Sequence, residues 1–290
     1  MSWRTVIVDS TCKLSYKNGY IVLKKERDSM IHISEIDILV VATTQVTFTC
    51  VALNELIKNK VKVIFCDEKH NPLCETVRYY GSHNCSKRIK NQIAWDDAFK
   101  KKVFKRIVEQ KIRNQAKVLK TFGFDVQNQM LCEYSSFVED GDTTNREGHA
   151  AKVYFNTLFG DDFARSSPSA INSALDYGYT ILLSYINREV VSNGCLTQLG
   201  VGHCNEFNEF NLSCDLIEPF RQEVDLYVVR NLPPNPLSKE YKYELIGILS
   251  KKVQFYGKET FLSNAITTSV KSVLDALDKR DLSAIKLYEL

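Results

Sequence analysis

Glu147, His203 and Glu218 occupy three separated segments, each placing a metal-ligand side chain where packing alone gives little reason for one. Glu147 lies in Arg146-Glu147-Gly148-His149-Ala150-Ala151-Lys152-Val153-Tyr154-Phe155, at helical spacing from Ala150, Ala151, Tyr154 and Leu158. It shares their apolar face, where a carboxylate needs a basic residue, hydrogen-bond donors or a cation. A plainer reading makes Asn145 a helix cap and Glu147 a first-turn acid favoured by the helix dipole. His203 follows Gly200-Val201-Gly202, a turn that lets backbone approach closely, although a lone histidine is more often a satisfied polar residue than a ligand. Asp215 and Glu218 share one face if their segment is helical, with Pro219 tolerable only near a helix start. Glu218, Arg221 and Asp225 equally spell an intrahelical ion-pair ladder.

One site accounts for all three segments together. Two carboxylates and an imidazole make an open shell for Mg2+ or Mn2+, with positions left for water and phosphate oxygens. With arginines beside it, such a centre suits phosphodiester chemistry on DNA. Zinc is the competing metal, because Cys195, Cys204 and Cys214 flank His203. Their spacing matches no zinc-finger pattern, and small apolar cysteines are frequently core.

The elements that must position these residues fall into two classes. Up to about residue 75 the chain reads as β-rich, with strands at Val6–Val8, Ile21–Leu23, around Ile31 and Ile33, at Ile38–Val41 and at Val61–Phe65. Asn18-Gly19 between the first runs is a hairpin signal. One helix, Thr47 to Lys58, interrupts. Residues 67–92, with Pro72, Gly81 and Asn84, read as a linker carrying one hairpin. From Ile93 the pattern turns helical: Trp95, Phe99, Val103 and Ile107 repeat until Gly123, then helices run from Asn145 to Gly160 and from Ser167-Pro168 to Gly194. Two more are expected at Ser238–Tyr256 and Glu259–Lys279. The expected class is α+β: a small β-sandwich-like domain over 1–75, a linker over 76–92 and a larger all-helical catalytic domain over 93–290.

Composition excludes little beyond the extremes. Apolar content of 44% and charged content of 25% are ordinary for a globular protein. No run approaches the roughly 18 apolar residues of a membrane helix, and the N-terminus reads as a strand rather than a secretory signal. Nine cysteines, an odd number without C-x-x-C spacing, point to a reducing cytosol rather than a disulfide framework. The net charge of +3 hides a block from Lys87 to Arg113 with ten Lys/Arg against three acids. That block, including Lys100 and Lys101, is either a phosphate-binding face or a solvated helix surface.

At these residues the sequence resembles the CRISPR-associated adaptation integrases, the "Cas-one" family, closest to members from type II systems. The resemblance spans essentially the whole chain. It runs from the Trp3-Arg4 start through Arg146-Glu147-Gly148 with Ala150-Ala151-x-x-Tyr154-Phe155, then Asn172 with Leu175-x-Tyr177-Gly178-Tyr179. It continues through Gly200-x-Gly202-His203 to Asp215-Leu216-Ile217-Glu218-Pro219-Phe220-Arg221-x-x-Val224-Asp225. The resemblance implies Glu147, His203 and Glu218 as catalytic metal ligands for Mg2+ or Mn2+. Asp215 is implied as a further ligand or a residue acting through water. Arg146 and Arg221, and more weakly Asn172, are the implied phosphate contacts. Many relatives carry Asp where this chain has Glu218.

The implied function is spacer acquisition. The 3′-OH ends of a captured double-stranded DNA fragment are joined to the CRISPR leader-repeat by transesterification, and water as nucleophile would make the same site an endonuclease. The implied partners are a second copy of the chain, a small "Cas-two" protein in a heterohexameric complex and other type II adaptation proteins, all in the prokaryotic cytoplasm and none a membrane. Two other readings stand beside it: a stand-alone structure-specific metal-dependent nuclease, and a non-catalytic DNA-binding scaffold.

Overall fold

A computed structural model describes residues 4–25, 27–78 and 82–290. Trp3 and Gly81, both used in the sequence reading, lie outside the described residues. The chain folds as two units, 4–78 with Ser238–Lys251 and 82–237 with Lys252–Leu290.

The first unit is built on β1 (Arg4–Val8), β2 (Cys12–Lys17), β3 (Tyr20–Lys24), β4 (Ser29–His32), β5 (Ile36–Val41), β6 (Val46–Phe48), β7 (Lys62–Cys66) and β8 (Pro72–Glu75). They form two four-stranded sheets, ordered β1-β5-β7-β8 and β4-β3-β2-β6. In the first sheet β1, β5 and β7 run parallel and β8 is antiparallel to β7. In the second, β3 is antiparallel to both its neighbours and β6 is parallel to β2. Asn18 and Gly19 turn the β2–β3 hairpin with φ of 48° and 86°, the left-handed pair that a two-residue turn demands. β5 is buried along its whole length, as expected of a strand flanked by two parallel neighbours. Val6, Val8, Leu14, Ile21, Leu39 and Val63 from both sheets pack in one core, which is the sandwich-like arrangement.

Helix α1 (Cys50–Lys58) begins later than Thr47, because β6 is drawn onto the edge of β2 and Thr49 Oγ1 caps the helix by accepting from Ala52 N at 3.2 Å. Where a linker with its own hairpin was expected over 67–92, the described residues hold one strand, β8, paired with β7 outside the segment, and a helix, α2 (Cys85–Ile93).

The second unit is helical: α2 is followed by α3 (Asp97–Thr121), α4 (Asp125–Ser136), α5 (Arg146–Phe159), α6 (Ala170–Ser192), α7 (Asn211–Ile217) and α8 (Arg221–Arg230), with a 3-10 turn over Glu218–Phe220. Next, α9 (Lys239–Gly247) returns to the first unit, where Lys242 Nζ donates to Lys69 O at 2.5 Å and to Asn71 Oδ1 at 2.9 Å. The strands β9 (Lys252–Phe255) and β10 (Lys258–Phe261) and the helix α10 (Leu262–Lys279) complete the second unit. Two expected helices are therefore shorter: Ser238–Tyr256 stops at Gly247, and Glu259–Lys279 starts at Leu262. Tyr256 and Gly257, with φ of 50° and 75°, turn the intervening residues into a hairpin. Helix α6 begins beyond Ser167-Pro168, since Ser169 Oγ is the cap that accepts from Asn172 N at 3.0 Å. Phe104, Val108, Ile112, Leu119, Leu131 and Tyr154 from α3, α4 and α5 form a core of this unit. Among the described residues no helix is long and apolar enough to cross a membrane.

Candidate active site

Helix α3 is the spine of the site. Asp96 caps it by accepting from Phe99 N at 2.8 Å, and residues 104, 107, 108, 111 and 112 fall on one helical face. Four of those positions are apolar, and Lys111 is a lysine only 9% exposed. Its Nζ stands 2.5 Å from Glu147 Oε1 on α5 and 2.5 Å from Glu218 Oε2 on the 3-10 turn. Asn114, one turn further, donates to Pro219 O at 2.7 Å and pins that turn against α3.

Glu147 is free for this role because other residues cap its helix. Asn145 Oδ1 accepts from Gly148 N at 3.2 Å. Asp142 accepts from the N–H of Arg146 at 2.8 Å and of Glu147 at 3.0 Å. With those donors satisfied, the Glu147 carboxylate turns to the Lys111 ammonium rather than to its own helix end.

Asp215 organises the histidine. It is fully buried, and its two oxygens accept from Val201 N (2.6 Å), Gly202 N (3.0 Å), His203 N (2.9 Å) and His203 Nδ1 (2.6 Å). A carboxylate this fully engaged has no oxygen left to offer elsewhere. Accepting at Nδ1, it fixes the neutral ring with its proton there and its lone pair on Nε2. The turn requires glycine: a Cβ on Gly202 would sit 2.2 Å from the Phe104 ring, and one on Gly200 would sit 2.2 Å from His203 O. Phe104 meets the imidazole edge-on, with centroids 6.1 Å apart.

The electrostatics follow from this geometry. The Asp215 hydrogen bond raises the His203 pKa; burial opposes it, while the charges of Asp215, Glu218 and Glu147 add to it. Burial works against the charges of Lys111 and Glu218, yet their pairing prevails. Lys111 lies above the usual lysine range through Glu218 and Glu147, and Glu218 falls to about 2 through Arg221 and Lys111. Arg221 Nε reaches Glu218 Oε1 at 3.0 Å, and its guanidinium lies over the Tyr179 ring. The ladder foreseen from Glu218 through Arg221 to Asp225 stops at Arg221, because Asp225 accepts instead from Tyr154 OH at 3.0 Å and from Tyr179 OH.

Among the described residues no group of three or more His, Cys, Asp or Glu side chains is gathered to hold a metal ion. Two of the expected donors do converge, with the Lys111 ammonium between them at 2.5 Å from each. Two carboxylates and an imidazole lone pair are a donor set that fits a hard divalent cation. The cysteines do not fit zinc: burial pushes the Cys195 thiol up to about 11 and raises Cys214, while Cys204 is exposed.

The expected phosphate contacts divide. Arg221 and Arg146 adjoin the converging residues, and the Arg146 guanidinium lies 5.7 Å from the Tyr134 ring and 6.0 Å from the Phe137 ring, with a buried Nε that has no hydrogen-bond partner. Asn172 is a correction: it is buried and its amide is consumed by Ala164 O, Ser167 O and Arg165, leaving nothing to offer DNA. Lys101 is exposed, whereas Lys100 pairs with Asp97 at 2.6 Å. The basic block is not one face, since Lys111 is internal and Arg88 pairs with Asp275 and Asp278. Sequence reasoning missed Lys111, Asp142, Asn114 and Phe104 as parts of the site. A lysine in register with the apolar stripe of α3 was the available signal.

A family model described as CRISPR associated protein Cas1 matches residues 5–248. This chain belongs to the Cas1 family. The CRISPR-associated endonuclease Cas1 of Neisseria meningitidis serogroup C (strain 8013) is 30% identical over 295 residues, spanning 100% of this chain and 97% of the relative. A chain of a Cas6-RT-Cas1–Cas2 complex has the same fold, with a TM-score of 0.75 at 17% identity, covering 99% of this chain and 36% of that longer one. A casposase bound to its integration product superposes with a TM-score of 0.73 at 19% identity, covering 97% of this chain and 91% of that chain. Membership in the Cas1 family thus rests on sequence over the full length, and the two superpositions add the fold.

Proposed function

We propose that this Cas1 family member is a divalent-metal-dependent DNA integrase and endonuclease of CRISPR spacer acquisition, with Glu147, His203 and Glu218 as the ligands of Mg2+ or Mn2+. The observation that carries the reading is the convergence of Glu147 and Glu218 on a single cation. The Asp215-oriented ring of His203 supports it. When bound, a divalent ion supplies Lewis-acid polarisation of the scissile phosphate and neutralises charge developing on the leaving oxygen.

The protein's own contribution is orientation. Asp215 directs the Nε2 lone pair of His203 by holding Nδ1–H, and Arg221 holds Glu218 in place through Oε1. Asn114 fixes the turn that carries Glu218. Arg146 and Arg221 supply positive charge for the phosphodiester. The 3′-OH of a captured DNA fragment attacks the phosphorus at a repeat border. A new P–O3′ bond forms, the old one breaks, and the departing 3′ oxygen takes up the proton that the attacking hydroxyl loses. Water in place of that hydroxyl gives strand cleavage.

The partners in this reading are double-stranded DNA, a second copy of the chain, a Cas2 protein and further type II adaptation proteins, in a prokaryotic cytoplasm. Support comes from the endonuclease name of the Neisseria relative and from the Cas1–Cas2 assembly and integration product of the structural neighbours. Exposed Lys87, Lys90, Lys101 and Lys102 are the phosphate-binding part of the basic block.

Glu147→Gln tests the assignment. It keeps the shape and removes the charge, so joining of a 3′-OH oligonucleotide duplex to a leader-repeat duplex should fall by about 100-fold or more. Retardation of the same DNA in a gel should remain close to wild type. Joining at the wild-type rate by a folded Glu147→Gln protein would remove Glu147 from the site.

A further inference from the structure

Lys111, Glu147 and Glu218 come from three separate elements, α3, α5 and the 3-10 turn, and meet at one ammonium. Lys111 and Glu218 are 9% and 3% exposed, so neither charge has solvent to compensate it. Two carboxylates facing one another with no cation between them repel, and one must then take up a proton or move away. Arg221 cannot replace the ammonium on Glu218 Oε2, since its Nε already sits on Oε1 and its guanidinium stacks on Tyr179.

A divalent ion held by Glu147 and Glu218 would draw on the same carboxylates that the Lys111 ammonium occupies at 2.5 Å. Two cations so close together would repel strongly. The flexible four-carbon stem of lysine allows the ammonium to leave while the backbone of α3 stays fixed. The Glu147 side chain, 21% exposed, marks the solvent side towards which it can go.

We propose that Lys111 is a built-in, displaceable cation: its ammonium holds Glu147 and Glu218 together in the absence of metal and is expelled when a divalent ion binds. The proposal rests on the reading that these two carboxylates bind the ion. Lys111 then acts as a positioning residue, keeping the site assembled while lowering its affinity for the ion. Metal loading becomes an exchange of cations rather than the filling of a vacant cage.

The test uses the full chain with Mn2+ as probe. Lys111→Met keeps an unbranched side chain one heavy atom shorter and removes the charge. Calorimetric titration should show it binding Mn2+ at least about tenfold more tightly than wild type. Its Tm should lie below wild type in EDTA, and the gap should narrow in Mn2+. Unchanged or weaker Mn2+ affinity in Lys111→Met overturns the proposal.

A second measurement needs no variant that might fail to fold. Lysine acetylation of the wild-type chain, read by peptide mass spectrometry, should rise several-fold at Lys111 when EDTA is replaced by Mg2+. Equal protection in both conditions also overturns the proposal. Glu147→Gln separates the two levels of the account. If it binds Mn2+ as wild type does, the metal reading itself fails; if it loses Mn2+ while Lys111→Met stays unchanged, only the role of Lys111 fails.

Discussion

Glu218 and Asp225 lie two turns apart and solve the same problem in opposite ways. Glu218 is buried beside Lys111 and Arg221 and is held ionised, down to about 2. Asp225 is equally buried with two tyrosine hydroxyls as its hydrogen-bond donors, and burial raises it to about 6. Their effects on stability therefore have opposite signs. Glu218 contributes stability above its ordinary value and loses it as pH falls towards 2. Asp225 keeps its proton in the folded chain between 3.8 and about 6, where the unfolded chain has released it, so stability falls as pH rises through that window. Asp225→Asn removes this dependence. Between pH 3.8 and 7 its unfolding free energy should gain about 3 kcal/mol relative to wild type, measured by denaturant titration at each pH. A constant difference across that range would mean that Asp225 is ionised throughout. Tyr154 and Tyr179 sit on α5 and α6, so this carboxylate also ties α8 to the helix bearing Glu147.

At the scale of elements, the turn carrying His203 depends on close approach. Gly202→Ala places a methyl group 2.2 Å from the Phe104 ring, and the backbone, the ring or both must shift. The expected cost is about 1–3 kcal/mol in urea unfolding. Phe104→Ala in the same chain should recover part of it, a coupling that a double-mutant cycle reads directly. Additive losses would show that the two residues do not press on each other. The helix bearing Glu147 was legible because its ends are local, with Asn145 and Gly160 bracketing it; for the helix bearing Lys111 the apolar repeat and Gly123 were legible, while its start at Asp97 lies beyond the expected Ile93. The ends of other elements were not. Val46–Phe48 has no intrinsic reason to leave a helical pattern until β2 offers it an edge, and Tyr256-Gly257 reads as a break only after β9 and β10 pair. Glu147, His203 and Glu218 stood out as chemistry because each is a polar residue where packing predicts an apolar one. Lys111 met the same criterion, yet its place inside a basic run made it look like surface charge. What sets it apart is a contact with residues 36 and 107 positions away in sequence, and no local pattern encodes that.

At the scale of the whole molecule, the chain combines a sandwich-like first unit with a helical second unit that contains every residue of the proposed site. The chain belongs to the Cas1 family, and the strand transfer proposed for it rests on the convergence of Glu147 and Glu218 in that second unit. A supercoiled plasmid carrying a leader and repeat, incubated with short duplex DNA, the chain and a Cas2 protein, gives the most direct test. Joining is expected with Mn2+ or Mg2+, none in EDTA, and none when the duplex ends are 3′-dideoxy. Cutting without joining would leave a nuclease in place of an integrase. Joining that persists in EDTA would contradict the metal site on which the account stands.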